Sequence, residues 1–190
     1  VPTDPSCLGE IAQESMPSFW QAFVQFSELK GIDLERKLYI VRRCLENHAD
    51  RQGWGMNDYY IPSLSSRIIV YKGMFVSTQF NTFYPDLQSK NFISAMALVH
   101  QRYSTNTFPS WPLAQPFRIL AHNGEINTLR GNINKTLERE STLSSPVLGY
   151  DIQKVFPITR SDASDSSIMD NVLELLFMGG RTLEHSIMMM

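Results

Sequence analysis

FISAMALVHQRYSTNTFPSWPLAQPFRILAHNGEINTLRGN, residues 92 to 132, decides how this chain is read. Phe92 to Val99 is a nearly continuous apolar run, the pattern of a strand covered on both faces. Just past its end stands Arg102. A second, shorter run from Phe117 to Ala121 is apolar apart from Arg118 and closes on His122-Asn123-Gly124, where glycine permits positive φ at no steric cost. An arginine fork fits a carboxylate with two parallel hydrogen bonds. An Asn amide beside a free Gly N–H offers two donors to a developing oxyanion. Acyl chemistry on an amino acid fits that pair. Spacing alone equally allows a plain Asn-Gly hairpin turn and a surface arginine.

Outward from this stretch, helices and strands alternate. Leu34, Leu38, Val41 and Leu45 recur at helical spacing, with Glu35, Arg36, Arg42 and Arg43 on other faces, and predict an amphipathic helix over Leu34 to Leu45. Leu129, Ile133 and Leu137 predict a second over Asn127 to Glu140, with Glu138, Arg139 and Glu140 facing water. A third runs from Ser167 or Ile168 to Met178, capped within Ser161 to Ser167 and ended by Gly179-Gly180. Strands are predicted at Tyr59 to Ile61 and Arg67 to Tyr71, pairing as a hairpin, at Ser18 to Phe26, and in the tail His185 to Met190. The three prolines between Thr107 and Pro116 mark an exposed or ligand-facing loop in which Trp111 walls the substrate or simply packs. The class is α+β, in one domain over residues 1–190.

Composition narrows the partners. Seventeen basic and nineteen acidic residues give a net charge of −2 without runs of like charge, which argues against nucleic acid and anionic membranes. No stretch approaches a membrane span and VPTDPSCLGE lacks signal-peptide order, so a cytoplasmic setting is expected. Cys7 and Cys44 make neither a CxxC pair nor a disulfide framework, and His48, His100 and His185 have no metal-ligand spacing. No metal is expected.

HQRYSTNTFPSWPLAQPFR and HNGEIN, together with VPTDPSCLG, LERKLYIVRR, YIPSLSSRIIVYKGM, SDASDSSIMDNVLELL and GGRTLEHSIMMM, resemble the glutaminase domain of the glutamate synthase family across nearly the whole chain. The resemblance implies a class II glutamine amidotransferase with the N-terminal-nucleophile hydrolase fold, a four-layer αββα sandwich. It also implies site roles. Arg102, helped by Thr105, would hold the α-carboxylate of L-glutamine. Asn123 and Gly124 would form the oxyanion hole, and Asp165 would take the substrate ammonium, with Asp162 as the competing residue. By spacing, an Asp before a helix is equally an N-cap.

In such a parent enzyme, oxidoreductase and amidotransferase in one, glutamine is hydrolysed to glutamate and ammonia, and ammonia reductively aminates 2-oxoglutarate in glutamate biosynthesis and nitrogen assimilation. FMN, an iron–sulfur cluster and a small electron-donating subunit belong to its other parts, and no cofactor is expected here. The family's nucleophile is an N-terminal cysteine, whereas this chain begins Val1-Pro2. Cys7 lies past the family's nucleophile position and Cys44 sits in the first predicted helix. The expectation is therefore a partial amidotransferase domain, lacking its first strands and inactive alone. The alternatives are a non-catalytic glutamine- or glutamate-binding remnant and a purely structural fragment.

Overall fold

α-Helices and short 3-10 turns, joined by irregular segments, make up all the regular structure of the computed structural model, which describes residues 1–190. The helices are α1 (Glu10–Glu14), α2 (Gly31–Arg51), α3 (Phe80–Phe83), α4 (Leu129–Glu140), α5 (Asp165–Met178) and α6 (Leu183–Met188). There is no β-strand, so the expected α+β class and its four-layer αββα sandwich are corrected. Phe92 to Val99 is irregular, with a bend at Ala95, and makes no ladder, and Ile93, Met96 and Val99 are 85%, 82% and 75% exposed. An apolar run supplies only the tendency to be a strand. Its rows of N–H and C=O groups become a sheet only against a second strand.

The helix predictions fare better. α2 contains the predicted Leu34–Leu45 and extends it at both ends, with Asp33 in its first turn and His48 and Arg51 in its last, each favourable to the helix dipole. Its expected apolar stripe is kept only in part: Leu38 is buried and Leu34 and Val41 are half-buried, but Leu45 is exposed, and Glu35, Arg42, Arg43, Glu46 and Asn47 are buried as well. α4 begins two residues later than predicted, and Glu140, expected in water, accepts a hydrogen bond from Ile158 N at 2.7 Å. α5 starts at Asp165 because Ser164 caps it, its side chain accepting from Ser167 N, and it stops at Gly179-Gly180, where Gly180 takes φ +105°. The tail is helical rather than extended. Thr182 accepts from His185 N at 3.2 Å and starts α6, and this local cap decides a segment that lacks a partner strand.

Two cores hold these pieces. In the first, Tyr39 and Ile40 of α2 pack with Leu175 and Met178 of α5 and with Leu148, Ile152, Val155 and Ile158 from the intervening 3-10 region. Each fully buried aliphatic there contributes about 1.5–3 kcal/mol. The second is aromatic. Phe83, Tyr84 and Trp111 cluster around Leu8 and Ala12, with Phe19 meeting all three rings edge-on at 5.7–5.8 Å. Trp111 is thus a packing residue, and its indole N–H donates to Ala12 O at 3.3 Å. No helix is long and apolar enough to cross a membrane.

A charged seam joins α2 to α5. Arg42, 1% exposed, donates to both carboxylate oxygens of Glu46 at 2.8 and 2.9 Å and bonds Glu174 of α5. Arg118 bonds the same Glu174 at 3.0 Å and lies 3.6 Å from Asp170. Arg43 pairs with Glu46 at 2.6 Å and donates to Val155 O at 3.1 Å. Burial alone would raise the Glu46 carboxyl, but Arg42, Arg43 and Arg118 outweigh it and hold it down at about 2.

Candidate active site

The first half of α5 organises the residues singled out in the sequence. Two of its aspartates act as acceptors for the loops that approach it. Asp170, fully buried, accepts the backbone N–H groups of Arg118, Ile119 and Leu120 at 3.2, 2.8 and 3.1 Å. It thereby fixes the segment that leads into His122-Asn123-Gly124. Burial raises the Asp170 carboxyl above its ordinary value, with Glu174 adding to the rise and Arg118 opposing it. Three N–H donors and an adjacent guanidinium make this buried carboxylate tolerable.

Asp165, one turn earlier, has a wider reach. Its carboxylate accepts from the Ser104 hydroxyl, from Asn106 Nδ2 at 2.9 Å, from Ile126 N at 3.2 Å, and from the N–H and hydroxyl of Ser166. Burial alone would raise this carboxyl; the bonds from Ser104, Ile126 and Ser166 outweigh that and hold it below the usual carboxylate range. One side chain thus ties the loop carrying Arg102 and Thr105 to the loop carrying Asn123 and Gly124. Thr105 makes a second tie, its hydroxyl donating to Glu125 at 3.0 Å. Arg102, Thr105, Asn123 and Gly124 themselves are exposed, at the outer side of these two loops.

The turn itself is held from behind. Gln115 brackets His122, accepting from its N–H at 2.7 Å and donating to its carbonyl at 3.0 Å. His122 Nδ1 lies 3.1 Å from Ser166 Oγ. A Cβ on Gly124 would sit 3.3 Å from the His122 ring, so the ring closes over the glycine. This replaces the expected positive φ: Gly124 is absent from the left-handed residues, and its value lies in close approach rather than in backbone freedom. Gln115, Ser104, Asn106 and Ser166 were not foreseen in the sequence. Ser104, Asn106 and Ser166 are short polar residues adjacent to anticipated ones, whereas Gln115, eight residues before Asn123, carries no such signal.

Asp162, the competitor of Asp165, is placed differently. It is exposed, gripped by Arg160 in a two-pronged pair at 3.0 and 3.1 Å, and accepts Met56 N at 3.1 Å. Its carboxyl lies below the ordinary value: burial raises it, and the bonds from Arg160 and Met56 more than compensate. Cys7 sits against the aromatic core with Sγ 3.3 Å from Asp4 O, and Cys44 packs on the α2 side of the first core. Neither thiol lies in the two loops.

The family described as class-II glutamine amidotransferases matches residues 1–190. The chain is 48% identical over 195 residues to the glutamate synthase [NADPH] large chain of Bacillus subtilis, covering 100% of this chain and 12% of that protein. It is 44% identical over 191 residues to the chloroplastic ferredoxin-dependent glutamate synthase of Spinacia oleracea, with 100% and 12% covered. To the glutamate synthase [NADH] of Saccharomyces cerevisiae it is 42% identical over 200 residues, with 100% and 9% covered. The chain therefore spans about an eighth or less of the length of these relatives. With the whole of its length matched, and with two loops gathered on the SDASDSSIMDN helix, the chain belongs to the class II glutamine amidotransferase family.

Proposed function

We propose that this chain forms the glutamine-binding side of a glutaminase site within a glutamate synthase large chain, where L-glutamine is hydrolysed to glutamate and ammonia for the reductive amination of 2-oxoglutarate. The observation that carries the reading is the Asp165 carboxylate, which accepts from both loops and so holds Arg102 and Asn123-Gly124 in one assembly. Arg102 binds the α-carboxylate of glutamine with its planar fork, and Thr105 supports it. The Asn123 amide and the Gly124 N–H receive the oxyanion of the tetrahedral intermediate. Asp165 takes the substrate ammonium. Its present donors from Ser104 and Asn106 are neutral, and a charged donor forms a bond about twice as strong, so exchange favours the ammonium. Asp162 already has a charged partner in Arg160, which favours Asp165 for this role.

The attacking thiol is the part these residues do not provide, since Cys7 and Cys44 are both engaged in packing away from the loops. Two cysteines also fall short of the thiolates an iron–sulfur cluster needs, so the residues of this chain do not fit that group. FMN, the cluster and any small electron-donating subunit belong, in this reading, to the rest of the parent protein. Relatives named for NADPH, ferredoxin and NADH match these residues at similar identity, which supports a choice of electron donor made elsewhere. A cytoplasmic setting accompanies the reading.

The test has two arms. The 190-residue chain is expected to release no ammonia from glutamine but to bind it in calorimetry, with that binding lost in Arg102→Ala and in Asp165→Ala; binding unchanged in both variants overturns the site assignment. Ammonia release that disappears in Arg102→Ala would overturn the inactivity of the isolated chain. In the parent enzyme, Asn123→Ala lowers kcat for glutamine hydrolysis by about 10²–10³; an unchanged kcat removes the oxyanion assignment.

A further inference from the structure

Gln115 is 6% exposed, and both polar atoms of its amide are spent on one residue. Its Oε1 accepts from the His122 N–H at 2.7 Å and its Nε2 donates to the His122 carbonyl at 3.0 Å. Two bonds exchanged with a single residue are what a main chain offers in a hydrogen-bonded antiparallel pair. The register is that of a hairpin as well. Phe117 N donates to Leu120 O at 2.9 Å across a tight turn, and two residues further out on each side Gln115 meets His122. Gln115 therefore continues with its side chain a pairing that the backbone begins and does not complete.

The two ends of this turn are held by different means. Asp170 grips its tip through the N–H groups of Arg118, Ile119 and Leu120, which leaves the open end, where Asn123-Gly124 emerges, to be closed by Gln115. His122 is thereby fixed at three points: its N–H, its carbonyl and, through Nδ1 at 3.1 Å from Ser166 Oγ, its ring. The carbonyl belongs to the peptide that precedes Asn123, so the clamp sets the plane from which the Asn123 side chain departs. The ring confines Gly124 from the other side, 3.3 Å from where a Cβ would stand. An apolar side chain at 115 could make neither bond to His122.

We infer that Gln115 is a positioning residue for amide hydrolysis at this site: by clamping His122 it holds the Asn123 and Gly124 donors where the oxyanion of the tetrahedral intermediate forms, without touching the substrate. The inference rests on the oxyanion reading of those two residues. Such donors stabilise a transition state only when they are already in place, because no reorganisation is then needed as charge develops. A turn that has drifted loses that stabilisation. Grip on the substrate is kept, since Gln115 spends its hydrogen bonds on His122 and none on Arg102, Thr105 or Asp165. The expected signature is therefore a loss in kcat and not in KM.

In the parent enzyme, Gln115→Met keeps the length of the side chain and removes both bonds to His122. Its kcat for glutamine hydrolysis is expected to fall by about 10²-fold, as for a small misplacement of a group that acts in the transition state, while KM stays within about threefold. Should Gln115→Met fail to fold, Gln115→Asn, whose amide is one methylene too short to reach both His122 groups, makes the same comparison. Asn123→Ala is measured alongside. In the double variant the combined loss is expected to fall short of the product of the single losses, because both substitutions act on the same donors. A kcat within about twofold of the unaltered enzyme in both Gln115 variants, beside the full loss in Asn123→Ala, overturns the proposal and leaves the oxyanion reading standing. So does a loss carried by KM, or one that multiplies with that of Asn123→Ala, either of which marks a merely structural side chain. An unchanged kcat in Asn123→Ala removes the oxyanion reading itself, and the role of Gln115 with it.

Discussion

The seam between α2 and α5 and the segment from Phe92 to Val99 invert the usual rule in opposite directions. At the seam, Arg42, Arg43, Glu46 and Glu174 are buried; in the segment, Ile93, Met96, Leu98 and Val99 lie open to water. The seam is stable in that form because every charge has a partner of opposite sign and its remaining hydrogen-bonding capacity is directed at backbone carbonyls such as Val155 O. The segment forms no ladder because its backbone has no partner strand. Burial follows from completed pairing as much as from hydropathy. A charged residue with all its partners is admitted to the interior, and an apolar residue on an unpaired strand is not.

Removing one member of the seam breaks the comparison most sharply. Glu174→Ala strips both Arg42 and Arg118 of their shared carboxylate, and a loss of about 3–5 kcal/mol is expected in urea unfolding. A loss under 1 kcal/mol would mean that the seam is solvated rather than paired. Acid provides the next largest effect. Glu46 has a folded value of about 2, below its ordinary 4.5, so its contribution is complete above that ordinary value and drains away as pH falls from 4.5 toward 2. Far-UV dichroism followed down that range should show helix loss, and Glu46→Gln should be less stable at neutral pH with a flattened acid limb. The smallest effect belongs to the exposed segment. Ile93→Lys and Val99→Lys should change stability by no more than about 0.5 kcal/mol while lowering self-association in light scattering. A large destabilisation there would show that the segment is buried in solution.

The sequence reveals those parts of the molecule whose cause is local. α2, α4 and α5 are visible in their 3.6-residue spacing, and the end of α5 in its Gly-Gly pair. Arg102, Asn123-Gly124 and Asp165 stand out as residue types suited to anions and cations, and the two loops that bear them meet at one helix. What the sequence hides is non-local. Which face of α2 is inside depends on Glu174, 132 residues beyond Arg42, and no periodicity within α2 encodes that partner. The apolar runs at Phe92 and Phe117 carry strand tendency but not a pairing partner. The tail is helical rather than extended because a one-residue cap at Thr182 outweighs the apolar run that follows it. Gly124 drew attention for its conformational freedom, while the structure uses its missing side chain.

Asp165 has a mechanical consequence. Since the same carboxylate receives Ser104 and Asn106 from one loop and Ile126 from the other, the two loops share a single hinge pin. Under the proposed glutamine-binding role, a ligand that drew Asp165 toward itself would tighten or slacken both together, so grip on one end of the substrate and alignment at the other would arrive as one event instead of two. Such a joint reduces the independent motions that must be frozen when a small, flexible amino acid is captured, and the entropy of that ordering is spent in folding α5 before the ligand arrives.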